Sequence, residues 1–273
     1  MSQINEPPVW VRDLSAHYGD RPILHDVNLR VDSGEIRVIL GGSGSGKSTL
    51  LKHMMGLLTP SRGSVRVLGL ELGDADEPEL ERLMSRIGVL FQASALLNAM
   101  SIADNVALPL REQTDLPESI IREMVHSKLS LVGLQEAAHL TPRELSGGMK
   151  KRAGLARAIA LDPEVLFFDE PSAGLDPVTA AELDELILGL RGRFGMTMVV
   201  VTHELASIRR IADQVLMLAG GTVVADGPLQ AVEQLSSRPV NSFFQRQPRG
   251  ESEGPETLLA ALHAAAGQGK TSF

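Results

Sequence analysis

Residues 35–51 read EIRVILGGSGSGKSTLL, and the order of features in this stretch decides the fold. The apolar run EIRVIL leads into glycines from Gly41, and beyond them Leu50, Leu51, Met54 and Leu57 recur at helical spacing. Strand, glycine loop and helix in succession are the context in which GGSGSGKS, residues 41 to 48, fits the phosphate-binding pattern G-x-x-x-x-G-K-[ST]. Consecutive backbone N–H groups from Gly41, Gly42, Ser43, Gly44, Ser45 and Gly46, backed by the positive end of a helix, suit the cradling of phosphates. Lys47 would reach the β- and γ-phosphates and act catalytically, Ser48 would ligate Mg²⁺, and Thr49 completes the nucleotide-binding set.

Further along, VLFFDE, residues 165 to 170, is a continuously apolar run ending in two carboxylates. Such a run is expected of a parallel strand covered on both faces, and ligands bind at the carboxyl ends of strands in open parallel sheets. Asp169 is thereby placed to hold Mg²⁺, and Glu170 to orient or deprotonate an attacking water. The structural alternative is that both cap a helix beginning near Pro171. MVVV at 198 to 201 repeats the apolar pattern, and His203 follows it in VVVTHE, where it would emerge at the same edge and bond a γ-phosphate or the water. Between the two runs, residues 177 to 190 are helix-like, which predicts a right-handed β-α-β crossover.

Other segments fill in an α/β fold. Val27, Leu29 and Val31 alternate with Asn28 and Arg30, the period of a half-buried, antiparallel strand. Residues 71 to 160 read as mainly helical, with Ile121, Met124, Val125, Leu129 and Val132 on one apolar face; the exception is IGVLF, a strand ending at Gln92. VLML and TVVA around Ala219, Gly220 and Gly221 predict a hairpin with a three-residue loop. Tyr18, the only tyrosine, precedes Gly19 ahead of the phosphate loop and would stack on adenine. From about residue 236 Ser, Arg, Pro, Gly and Gln dominate, as in a tail, with one short helix expected around Leu258, Leu259 and Leu262.

Composition narrows the functional classes. Of 273 residues, 43% are hydrophobic and 22% charged, as in an ordinary globular protein. A net charge of -8 argues against a broad nucleic-acid footprint. The absence of cysteine excludes disulfides and thiolate metal sites, and the seven histidines lack paired ligand spacing. No segment approaches the roughly 20 apolar residues needed to span a bilayer. A cytoplasmic protein is therefore expected, with any membrane role exercised through a partner.

LSGGMKKR, residues 145 to 152, hands a Ser-Gly-Gly loop to a basic helical stretch, and by itself reads as a capped helix start. In sequence order, however, the phosphate loop, Gln92, LSGGM, VLFFDE, SAGLD (residues 172 to 176) and His203 together resemble the ATP-binding cassette (ABC) ATPases over residues 9–235. The resemblance implies a P-loop NTPase with a RecA-like core, an antiparallel β subdomain and a helical signature subdomain at roughly 93–160. It implies that Gln92 joins Ser48 and Asp169 around Mg²⁺. Ser146, Gly147 and Gly148 would bind the γ-phosphate of ATP held by a second copy, and Asp176 would lie across the interface of a head-to-tail homodimer. Phe243, Phe244 and Arg246, in a C-terminal extension at 236–273, are candidates for docking on the partner protomer.

Met149 with LFQASALLNAMSIADNVALPLRE and GMKKRAGLARAIALDPEVLFFDEPSAGLDP is similar to the ATPases that serve MCE-protein phospholipid transporters of double-membraned bacteria. That likeness implies an integral-membrane permease dimer, a periplasmic MCE-domain protein and in some systems a small STAS-domain protein. It places this chain peripherally on the inner face of the inner membrane, with ATP and Mg²⁺ as ligands and no nucleic acid. An ATPase of a solute importer is one competing reading. A soluble ABC mechanoenzyme is another, against which stand the acidic balance, the single cassette and the lack of a long coiled-coil insertion.

Overall fold

The structure is a computed structural model, and it describes residues 6–245. Two sheets organise the chain. Strands β1 (Val9–Tyr18), β2 (Arg21–Val31), β4 (Arg62–Val67) and β5 (Leu70–Glu71) form an antiparallel sheet in the order β2-β1-β4-β5. Strands β3 (Ile36–Gly41), β6 (Ile87–Leu90), β7 (Val165–Asp169), β8 (Thr197–Val201), β9 (Gln214–Ala219) and β10 (Thr222–Pro228) form a second sheet in the order β10-β9-β3-β8-β7-β6. All its pairings are parallel except that of β9 with β10.

The apolar runs behave as two-sided strands must. Ile36, Val38, Leu40, Leu166, Phe168, Met198 and Val200 enter one core cluster, while Ile39, Val165, Phe167, Val199 and Val201 enter the other. Side chains alternate across a pleated strand, so each central strand feeds both cores. The second cluster also takes in Val27, Leu29 and Val31 of β2, whose alternation with exposed Asn28 and Arg30 is as the pattern predicts. The antiparallel sheet thus packs over the face carrying α1 (Lys47–Met54).

Helices α2 (Glu77–Met84), α3 (Ile102–Gln113), α4 (Glu118–Leu131), α5 (Gly147–Ala158), α6 (Pro177–Phe194), α7 (Leu205–Ile211), α8 (Leu229–Glu233) and α9 (Arg238–Phe244) complete the order. Local chemistry sets several of their starts. Asp76 and Glu79 form a reciprocal capping box on α2, and the Ser101 hydroxyl accepts from the Asp104 N–H to cap α3. Among the described residues, no helix is long and apolar enough to cross a membrane.

Two expectations need correction. The span from 71 to 160 is less continuously helical than its composition suggests: irregular chain and single 3₁₀ turns fill 91–101 and 132–146. The hairpin loop has two residues, not three, because Ala219 already pairs with Thr222. Gly220 and Gly221 make the turn at φ 57° and 82°, the doubly left-handed geometry that matches strand twist. A Cβ on Gly221 would overlap the Ile23 carbonyl oxygen, so only glycine fits there. Beyond residue 236 the described chain continues into α9. Val240 of α9 is fully buried, and Phe243 and Phe244, 5.4 Å apart edge to face, pack against the core of their own chain. Arg246 and the expected helix at Leu258, Leu259 and Leu262 lie outside the described residues.

Candidate nucleotide site

The parallel sheet brings four sequence-distant segments to one edge. Beyond the carboxyl ends of β3, β8, β7 and β6 come the glycine loop, His203, the Asp169–Glu170 pair and Gln92, in neighbouring positions along the sheet. The loop takes its shape from glycines in backbone conformations costly for other residues: φ is 74° at Gly44 and 101° at Gly46, which precedes the first turn of α1. Lys47 lies back over the loop, its Nζ donating to the carbonyls of Gly41 at 3.0 Å and Gly42 at 3.1 Å. Thr49 follows in the first turn, its carbonyl bonded to His53 Nδ1 at 2.8 Å.

Opposite the loop, Ser48 Oγ donates to Asp169 Oδ1 at 3.3 Å. Burial pushes the Asp169 carboxyl above the usual range, while the Ser48 hydrogen bond and the Lys52 and Lys47 charges pull the other way and the Glu170 charge adds to the rise. The hydroxyl and the carboxylate are hard oxygen donors on facing elements, the donor type Mg²⁺ selects. Gln92 sits at the next strand end with its side chain on the exposed surface.

Glu170 continues the β7–β8 pairing for one more residue, its N–H donating to the Val201 carbonyl at 2.8 Å, and then turns at φ 48°. The turn carries its side chain to His203, whose Nδ1 lies 2.9 Å from Glu170 Oε1. The second carboxylate oxygen, Oε2, is buried and takes no hydrogen bond among the described residues. An acceptor in that condition, beside the phosphate loop, fits the positioning of a water. The capping alternative for this pair is not what the structure contains: α6 begins at Pro177 and is capped by Asp176.

Ser146, Gly147 and Gly148 form a second group at the start of α5. The Ser146 hydroxyl accepts from the Met149 N–H at 3.2 Å, so the capping reading of this serine holds as well. Gly148 packs so closely on α6 that a Cβ there would overlap Thr179 Cγ2. Asp176 accepts from the N–H groups of Val178 and Thr179 at 3.0 and 3.1 Å and from the Thr179 hydroxyl at 2.5 Å. Thr179 therefore joins Asp176 to the Ser-Gly-Gly loop, while the exposed surfaces of Ser146, Gly147 and Asp176 face outward. Tyr18, at the end of β1, is 82% exposed.

Sequence reading passed over one residue of this site. Lys151 of α5 is buried, and its Nζ donates to the carbonyls of Gln92 at 2.6 Å and Glu170 at 3.2 Å. In LSGGMKKR it looks like one of several surface cations; what marks it is its place three residues beyond the buried Gly148, on the inward side of the helix.

A family model described as ABC transporter matches residues 24–173. The chain belongs to the ABC transporter family. This ABC protein is 42% identical over 252 residues, 92% of its length and 94% of the relative's, to the intermembrane phospholipid transport system ATP-binding protein MlaF of Haemophilus influenzae. Its identity to MlaF of Escherichia coli strain K12 is 41% over 247 residues, 90% of each chain. A probable ribonucleotide transport ATP-binding protein, mkl of Mycobacterium leprae, is 40% identical over 94% of this chain and 75% of its own. Among solved structures, a dimeric ATP-binding cassette in a post-hydrolysis state bound to ADP and Pi superposes with a TM-score of 0.75 at 30% identity, covering 81% of this chain and 98% of the other. An ABC transporter component, cbiO1 of Clostridium perfringens, superposes at 0.78 and 30% identity over 89% and 97%. The antiparallel sheet, the parallel sheet and the phosphate loop between them are the P-loop ABC ATPase fold.

Proposed function

We propose that this chain is the ATP-hydrolysing subunit of an ABC transporter that moves phospholipid between the inner and outer membranes. The observation that carries the reading is the Glu170–His203 pair, set at the sheet edge beside an intact phosphate loop. Together with near full-length identity of about two residues in five to the MlaF proteins, it favours a working ATPase over a purely regulatory ATP-binding module.

In this reading the glycine loop and Lys47 hold the β- and γ-phosphates, exchanging the carbonyl contacts of the Lys47 ammonium for phosphate oxygens. Glu170 Oε2 orients and deprotonates the attacking water, and His203, donating from Nδ1 to Oε1, keeps the carboxylate in that attitude. Ser48, Asp169 and Gln92 would hold Mg²⁺, which supplies charge neutralisation at the β- and γ-phosphates. Tyr18 stacks on adenine. Ser146, Gly147 and Gly148 meet the nucleotide on a second copy, and Asp176 lies across the homodimer interface.

A permease dimer would be the membrane partner. Supporting this is a cleft of about 330 Å³ one residue from Gln92, lined by Met84, Ile87, Phe91, Leu108, Pro109 and Leu161. Exposed Leu57 and Leu58 add apolar surface at the end of α1. Through the permease the chain would sit on the cytoplasmic face of the inner membrane, in an assembly with an MCE-domain protein and, in some systems, a STAS-domain regulator. Division into a cassette at 9–235, with a helical subdomain at roughly 93–160, and an extension from 236 is part of the same reading.

The mycobacterial relative keeps solute import as a second reading. Solubilising native membranes in mild detergent, capturing this chain and identifying its companions by mass spectrometry separates the two. A polytopic permease with an MCE protein supports lipid transport, whereas a permease with a soluble binding protein supports solute import.

A further inference from the structure

One face of α5 is unusually well anchored. Gly154 leaves no room for a side chain, since a Cβ there would lie 2.8 Å from Leu90 Cδ1 and 3.1 Å from Ser94 Cβ. One helical turn before it, Lys151 reaches the carbonyls of Gln92 and Glu170. One turn after it, Arg157 donates to the carbonyls of Ala95 at 2.8 Å and Ser94 at 3.0 Å. Lys151, Gly154 and Arg157 are three residues apart and so lie along one face.

Three of the four carbonyls belong to residues in unusual backbone. Ser94 at φ 60°, Ala95 at φ 49° and Glu170 at φ 48° are three of the seven non-glycine residues with left-handed φ among those described. Such a conformation is costly for a residue with a side chain and persists only where its surroundings over-determine it. Burying an ammonium group is also costly unless it is hydrogen-bonded. Lys151 bears that cost with 5% exposure, and its two bonds go to backbone carbonyls.

We infer that Lys151 and Arg157 are positioning residues: from one face of α5 they hold the strained backbone that presents Glu170 and Gln92, so that the alignment of both depends on where α5 sits. The inference rests on the reading of Glu170 as the residue that activates water. Because α5 starts at Ser146, Gly147 and Gly148, a nucleotide on the second copy that engages this loop would act through one rigid helix on the Glu170 of the copy that owns the loop. Communication between the two sites then needs no contact between nucleotides.

The test compares wild type with K151M, K151Q, K151R and R157M. Amide hydrogen exchange is followed across 91–96 and 169–173, alongside ATP affinity and steady-state hydrolysis. K151M and K151Q should raise exchange in both segments and R157M in 91–96 alone, with the phosphate loop unchanged. ATP affinity should stay within about twofold while kcat falls about tenfold or more, the scale of losing a hydrogen bond to a charged group; K151R should recover most of kcat. Unchanged exchange in the two segments, an unchanged kcat, or loss of kcat only in proportion to lost ATP binding or lost fold each overturns the inference. If wild type itself fails to hydrolyse ATP while the exchange pattern appears as described, the ATPase reading falls and the backbone clamp stands.

Discussion

His203 Nδ1 lies 2.9 Å from Glu170 Oε1, and the contact is made by a glutamate whose own backbone sits at φ 48°. One oxygen of the carboxylate is thereby fixed, and Oε2 is left buried without a bond among the described residues. Glu170→Gln keeps the shape and removes the base. It should bind ATP and dimerise as wild type does while hydrolysis falls about 100-fold or more, the range for loss of a general base. Phosphate release and size-exclusion chromatography with ATP check both halves, and near-normal turnover would remove Glu170 from its role.

Gly148→Ala should cripple hydrolysis through packing. The new methyl meets Thr179 Cγ2, and Thr179 cannot simply rotate away because its hydroxyl is tied to Asp176. Overpacking of this kind costs about 1–3 kcal/mol. Thr179→Ser removes the obstructing methyl and keeps the hydroxyl, so the double variant should regain activity lost by the single one. Equal activity of G148A and the double variant would show that the contact is not what matters.

Tyr18→Ala should raise KM for ATP about fivefold or more, from stacking worth about 1–3 kcal/mol, and leave thermal stability unchanged. Its 82% exposure leaves little packing to lose. Tyr18→Phe should match wild type, since stacking would use the ring and not the hydroxyl. A KM unmoved by the alanine variant would assign the adenine elsewhere.

Asp184 gives a pH signature of the fold. It is 3% exposed on α6, and burial raises its pKa above the ordinary carboxylate range, against a Ser207 hydrogen bond and the Arg210 charge, with the Glu185 charge adding to the rise. With the folded pKa above the unfolded one, the native state binds the proton more tightly. This group's penalty is therefore absent below the unfolded pKa, develops as pH rises through the interval between the two values, and is full above the folded one. Asp184→Asn should raise the melting temperature at pH 7, with the gain shrinking as pH falls toward 4. A gain independent of pH would mean that charge burial is not its source.

How much of this was legible in the sequence depends on the range of the interaction. The phosphate loop, the two buried strands and the crossover between them were readable because a few adjacent residues determine each: the glycine spacing, the unbroken apolar runs, the helical period of Leu50, Leu51 and Met54. Strands β1 and β4 escaped notice, since β1 is bulged, with register shifts at Val11/Leu14 and Leu14/Ala16, and its alternation breaks accordingly. The length of the hairpin loop was misjudged because Ala219 differs from a loop residue only in having a partner. Residues at strand ends could be placed at one edge from the apolar runs before them, whereas Lys151 could not, because its partners are two carbonyls 59 and 19 residues away in the chain. The packing of α9 was not legible for a similar reason: Val240 lies in a stretch rich in Ser, Arg, Pro and Asn, and burial is not encoded in composition.

The alternating membership of the central strands in two cores has a consequence for how the protein comes apart. Leu166 and Phe168 belong to one cluster while Val165 and Phe167 belong to the other, and β3 and β8 divide in the same way. A strand sewn into two cores cannot leave one and stay in the other. Melting the antiparallel layer would strip one side of the very strands whose ends carry the phosphate loop, Glu170 and His203, so these layers have no independent route to unfolding. Heat and denaturant should therefore meet them as a single cooperative block, and a protease should find no stable half-molecule in which the nucleotide site survives its antiparallel cover.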